Sequence, residues 1–206
     1  MFIGIPTRGV IFTQTLKSLS DNLINQNYKI YLTQISPVDK ARNDIIRSFL
    51  ESKDDYLFML DDDEVMPKNA LEAMLGANKD IVVIDAPAKK TFKSNIFKNK
   101  DGSIEASGFG CALFKRKVFE TLPTWFDLSP RRKMEYDGKY TFPIIDDAKP
   151  NDWGGEDVNF SLKLKEYGFD IYQLEGFVCK HLEYEPFNND KRAVKILEIK
   201  SYDEIK

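Results

Sequence analysis

Hydrophobic positions along the chain change their period several times, and each change marks an element. Phe2-Ile3-Gly4-Ile5-Pro6 is a continuous apolar run closed by Pro6 and followed by Thr7-Arg8-Gly9, which predicts a buried strand ending in a turn. Phe12, Leu16, Leu19, Leu23 and Ile24 then recur at helical spacing, and Tyr28 to Leu32 predicts a second strand. Asp39 to Ser52 is helical again, with Ile45, Ile46, Phe49 and Leu50 on one face. A strand at 56–60, a short helix at 69–75 and a strand at 81–84 follow, so strand and helix alternate for about 85 residues. Such alternation implies parallel strands joined by crossover helices, with ligands bound beyond the carboxyl ends of the strands.

The second half is less regular. Residues 104–114 predict strand segments around Gly108 and Gly110, and 115–121 a short helix. Residues 129–155 are rich in Pro, Gly, Asp and Lys without a sustained period, which predicts a long loop or lid. A helix over 156–167 stopped by Gly168, short strands at 170–174 and 177–179, and an amphipathic helix over 191–205 complete the prediction.

Composition narrows the function. At 206 residues and 42% hydrophobic, the chain fills one core without disulfides. Acids and bases nearly cancel, 33 against 30, so no global field favours nucleic acid or an anionic bilayer. Cys111 and Cys179 are too few for a disulfide scaffold and form no CxxC pair, which fits a reducing compartment. No apolar run approaches the roughly 18 to 20 residues of a membrane span, and no export leader is recognisable. A soluble, cytoplasmic protein is expected.

Three segments carry chemistry. Asp61-Asp62-Asp63-Glu64 follows the apolar run at 56–60; crowded carboxylates need a cation or a proton, and hard oxygens suit Mg²⁺, Mn²⁺ or Ca²⁺. An EF-hand is disfavoured, because Val65 and Met66 stand where that loop needs oxygen and Gly. A solvated acidic turn is the competing explanation. Trp153-Gly154-Gly155-Glu156-Asp157 places a sharp turn before two acids that open a helix; the acids could serve only the helix dipole, but Trp153 in a polar loop suits stacking on a sugar ring. His181, the single histidine, ends a short strand and could be structural or join a metal shell. Arg8 and Arg42 are surface cations or phosphate contacts at strand ends.

In this order the segments resemble a glycosyltransferase of the GT-A fold, over residues 1 to about 185. Leu60-Asp61-Asp62-Asp63 resembles its DxD motif, and Trp153 to Asp157 is similar to the WGGED segment of β-1,4-galactosyltransferases and related family 2 enzymes. The resemblance implies an α/β fold with a mixed sheet flanked by helices, in one domain: 1–100 for the nucleotide sugar, 101–185 for the acceptor, 186–206 as a tail. It implies a UDP-sugar donor, a carbohydrate or other hydroxyl acceptor, Mn²⁺ or Mg²⁺ as cofactor, and transfer with inversion. Asp63, Asp61 and His181 would hold the metal; Pro6, Thr7, Arg8, Arg42, Asp61, Asp62, Gly110 and Trp153 would line the nucleotide-sugar site. Asp157 would be the base and Glu156 would hold the acceptor. Val178 stands where the galactosyltransferase type has a metal-coordinating Met, so the metal shell would differ. A metal-dependent nucleotidyl or phosphoryl transferase, or a carbohydrate- or Ca²⁺-binding module without turnover, are the alternatives.

Overall fold

Strand β1 (Phe2–Pro6) is buried along its whole length because it lies inside a sheet, parallel to β2 (Lys29–Thr33) on one side and β3 (Tyr56–Leu60) on the other. The computed structural model describes residues 1–23, 27–87, 89, 93–127, 134–136, 140–142, 155–184 and 194–196. Helices α1 (Thr13–Asn22) and α2 (Val38–Glu51) make the crossovers. Gly4 matters here: a Cβ on it would come within 3.2 Å of Ile45 Cβ, so its absence lets α2 press onto β1.

After β4 (Glu64–Val65) and α3 (Ala70–Gly76), β5 (Ile81–Asp85) returns to the sheet. β6 (Ile96–Lys98) and β7 (Ile104–Ser107) pair antiparallel with each other, and β8 (Cys111–Lys115) then enters the main sheet between β3 and β5, antiparallel to both. The sequence predicts parallel strands up to 85, and β1, β2, β3 and β5 do share one direction; the reversed strand comes later in the chain and fills the gap between two of them.

The remaining elements are α4 (Arg116–Thr121), a pair formed by β9 (Met134–Tyr136) and β10 (Tyr140–Phe142), α5 (Glu156–Glu166), β11 (Tyr172–Val178), β12 (Lys180–Tyr184) and β13 (Val194–Ile196). The main sheet runs β11-β5-β8-β3-β1-β2, and β13-β12-β4 forms a smaller one. Three expectations change. The two short strands expected at 170–174 and 177–179 are the single strand β11. Residues 134–136 and 140–142, placed in a featureless loop, pair as strands. Residues 194–196, placed in a helix, pair with β12, whose free edge supplies hydrogen bonds that local period cannot foresee.

Apolar cores cover both faces of the sheet. One is built on phenylalanine: Phe126 and Phe160 stand 4.1 Å apart between ring centroids, and Phe109 meets Phe160 edge-on at 5.2 Å. Such pairs add about 0.5–1.5 kcal/mol beyond area burial. Arg116 closes the end of α2, donating to Phe49 O at 3.1 Å, which also accepts from Ser52 N, and to Ser52 O at 2.9 Å. Among the described residues no helix is long and apolar enough to cross a membrane.

Candidate active site

The carboxyl ends of β1, β3 and β5 meet on one edge of the sheet. β8 runs the other way, so its beginning arrives at this same edge, with Cys111 opposite Leu60. Asp61 N donates to Gly110 O at 2.7 Å, which joins the acidic segment to the glycine segment. A Cβ on Gly110 would lie 2.7 Å from Glu64 Cδ and 2.8 Å from Asp61 Oδ2; the two carboxylates occupy the space a side chain would need. Gly110 therefore lies under the acids, in contact with the site.

Arg42 links the segments. Its side chain, 2% exposed on the inner face of α2, sends Nη2 to Asp61 at 3.1 Å from Oδ1 and 3.2 Å from Oδ2. Nε lies 3.5 Å from Glu156 Oε1, Nη2 lies 3.8 Å from Asp157 Oδ1, and Nη1 donates to Phe109 O at 3.2 Å. The guanidinium also sits over the Phe126 ring, 5.4 Å from its centroid. Burial opposes its charge, but Asp61, Asp157, Glu156 and Glu64 together outweigh burial and raise its pKa above the ordinary value. Arg42, expected as a surface cation or as a phosphate contact of the nucleotide sugar, is an interior cation facing the acids.

Glu156 and Asp157 occupy the first turn of α5 after Gly155, and Ser161 Oγ holds that turn by donating to Asp157 O at 2.8 Å. Burial, reinforced against Arg42 by Glu156 and Asp61, pushes the Asp157 carboxyl up to about 8. Glu64 is 2% exposed, and burial pushes it up to about 7. Opposite it on β12, His181 places Nε2 3.2 Å from Glu64 Oε1 while Nδ1–H donates to Pro87 O at 2.7 Å. Burial works against the imidazolium, yet the Glu64 contact lifts His181 to about 9.

The other expected residues serve the loops. Asp62 accepts from Arg8 N at 3.2 Å and gives its own carbonyl to Phe12 N at 3.1 Å, which fixes the turn after β1. Pro6 and Thr7 are buried, with Thr7 Oγ1 donating to Val10 O at 3.0 Å; Arg8 is exposed. Asp63 forms an ion pair with Lys89, and its carbonyl accepts from Leu182 N at 2.7 Å. Trp153 lies outside the described residues.

A cleft of about 60 Å³ opens among Asp61, Glu64, Asn95, Gly110, Asp157 and His181. At that size a hydroxyl and its carbon fit, while a nucleotide sugar has to lie across the mouth. A larger hollow of about 610 Å³, lined by Gln14, Lys17, Asp21 and Met66, contains none of these carboxylates. In the small cleft Asp61 Oδ1, Glu64 Oε2 and Asp157 Oδ1 are buried and accept no hydrogen bond from the described residues. Oxygens in that state call for a donor from a ligand. Sequence reasoning included Glu64 in the acidic run without a role, and missed Lys89 and Asn95, which no local pattern distinguishes.

The side chains of the expected metal set have partners within the protein. Asp63 is engaged by Lys89, both His181 nitrogens have partners, and among the described residues no three His, Cys, Asp or Glu side chains gather where they could hold an ion.

No family model and no curated protein matches the sequence. Solved structures do match: A197 from STIV, at 21% identity and TM-score 0.61, covers 98% of each chain. GalNAc-T7, solved with UDP, GalNAc and Mn²⁺, matches at 11% identity and TM-score 0.55 over 87% of this chain. The fold is GT-A. This chain covers 43% of the GalNAc-T7 chain, so the likeness there concerns one part of a longer protein. At such identities the shared property is the fold, and activity has to be argued from the site.

Proposed function

We propose that this protein transfers a sugar from a nucleoside-diphosphate sugar to an acceptor hydroxyl. One observation carries the reading: Arg42 gathers Asp61, at the end of β3, and Glu156 and Asp157, at the start of α5, around a cleft that fits a hydroxyl. Edge and helix start are the donor and acceptor sides of one reaction. UDP is the nucleotide to test first, since the GalNAc-T7 structure contains it.

The acceptor hydroxyl enters the cleft and donates to Asp157, whose Oδ1 accepts no hydrogen bond from the described residues. Its oxygen attacks the anomeric carbon as the proton passes to the Asp157 carboxylate. The bond from that carbon to the diphosphate oxygen breaks, and its electron pair leaves with the nucleoside diphosphate. Attack opposite the leaving group inverts the anomeric centre. Glu156, held by Arg42, orients the acceptor. Arg42 is a positioning residue: it fixes the carboxylates and tempers the rise of the Asp157 pKa.

The test is a panel of nucleotide sugars scored for the product released. Nucleoside diphosphate is expected. Pyrophosphate release would mean a nucleotidyl transferase, and sugar binding without any release would mean a binding module.

A further inference from the structure

Each side chain of the expected metal set is already matched within the protein. Asp61 lies on the Arg42 guanidinium and Asp63 on the Lys89 ammonium. His181 spends Nδ1–H on Pro87 O and turns Nε2 to Glu64, whose other oxygen accepts no hydrogen bond from the described residues. A divalent ion on Asp63 and His181 would have to displace the lysine and strip a buried carboxylate of its partner, and a buried charge left unpaired is costly.

A diphosphate at this edge still needs a cation, because Asp61, Asp62 and Asp63 would repel it. Lys89 follows β5 on the edge where the parallel strands end, and 30% of its side chain is exposed beside a comparably open Asp63. An ammonium has three hydrogens, so one can stay on Asp63 while others reach a phosphate. Resting on the transferase reading above, we propose that Lys89 takes the place of a divalent ion, its ammonium shared between Asp63 and the donor's diphosphate, so that Asp63 competes with the donor for it. As the bond from the anomeric carbon to the diphosphate oxygen breaks, the electron pair stays on that oxygen and Lys89 meets the growing charge. The acceptor proton goes to Asp157 as before.

Calorimetry with UDP, and then with GDP, ADP, CDP and dTDP, in EDTA and in Mn²⁺, tests this. Binding is expected in EDTA, weakened roughly 10- to 100-fold in Lys89→Ala, the loss of one charge-assisted contact, and largely restored in Lys89→Arg. Asp63→Asn releases the ammonium and should tighten UDP, whereas loss of a metal ligand would weaken it. Binding that requires Mn²⁺, a Lys89→Ala variant with unaltered affinity, or Asp63→Asn that weakens UDP overturns the role of Lys89 and leaves the transferase reading standing. If no nucleoside diphosphate binds in either buffer, both fall.

Discussion

Arg42 Nη2 lies 3.1 Å from Asp61 Oδ1 and 3.2 Å from Oδ2, so a single buried nitrogen stands within ion-pair distance of both oxygens of the carboxylate that follows β3 and donates its hydrogen bond to Oδ2. Arg42→Met removes the cation shared by Asp61, Glu156 and Asp157. The loss should be about 3–5 kcal/mol, the usual cost of leaving buried charge unpaired. Arg42→Lys should recover only part, since a point charge cannot span the distances that the planar fork covers. Urea unfolding of the three proteins checks this; a loss under about 1 kcal/mol for Arg42→Met would show that water already neutralises the acids.

Asp157→Asn keeps the shape and removes the base. Turnover should fall about 10²- to 10⁴-fold while UDP affinity holds. In the wild type, kcat/KM should climb roughly tenfold per pH unit and level off near pH 8, where burial has moved this carboxyl. A profile already flat from pH 6 would assign the base elsewhere.

His181 is the only histidine, so one imidazole resonance reports it directly. Its midpoint should lie near pH 9, and Glu64→Gln should bring it down toward the ordinary 6.5, because burial alone disfavours the imidazolium and Glu64 reverses that. A midpoint unmoved by Glu64→Gln would show that the 3.2 Å contact is not what holds the charge.

Stability should fall as pH rises. Asp157, Glu64 and His181 all have folded values above their ordinary ones, so the folded state binds their protons more tightly than the unfolded chain. The carboxyls lose this contribution as pH climbs from about 4 through about 7 and 8, and His181 loses its own from about 6.5 through about 9. Melting temperatures from pH 5 to 9 should decline, and Asp157→Asn, with no charge to bury, should decline less.

Gly110→Ala puts a methyl group 2.7 Å from Glu64 Cδ and 2.8 Å from Asp61 Oδ2. Overpacking of this kind costs about 1–3 kcal/mol. Pairing it with Glu64→Ser should cost less than the two changes summed, as the shortened side chain vacates the contested space. Additive losses would show that the backbone carries the strain.

The parallel core was readable because it is written in local period: Phe2 to Pro6, the Ile45-Phe49 face and Tyr56 to Leu60 each announce their element. Cys111 to Lys115 announces a buried strand but not its direction, which depends on two neighbours far away in the chain. The acidic run and the acids after Gly155 could be named from sequence; their convergence could not, because it depends on the burial of Arg42, and Phe126 and Phe109 contribute to that. Lys89, between Ala88 and Lys90, reads as a solvated charge until Asp63 is set beside it. Val194-Lys195-Ile196 is too short to decide between periods and follows its partner strand.

Because β8 fills the gap between β3 and β5, synthesis delivers the middle of the sheet late. When residues up to 85 have left the ribosome, β1, β2 and β3 can pair, but β5 has neither neighbour: one begins at Cys111 and the other at Tyr172. Ile81 to Ile84, all buried in the finished protein, must wait as a bare apolar ribbon. The nascent chain is then exposed to aggregation, and a chaperone that shields such segments would serve this protein most between those two points of translation.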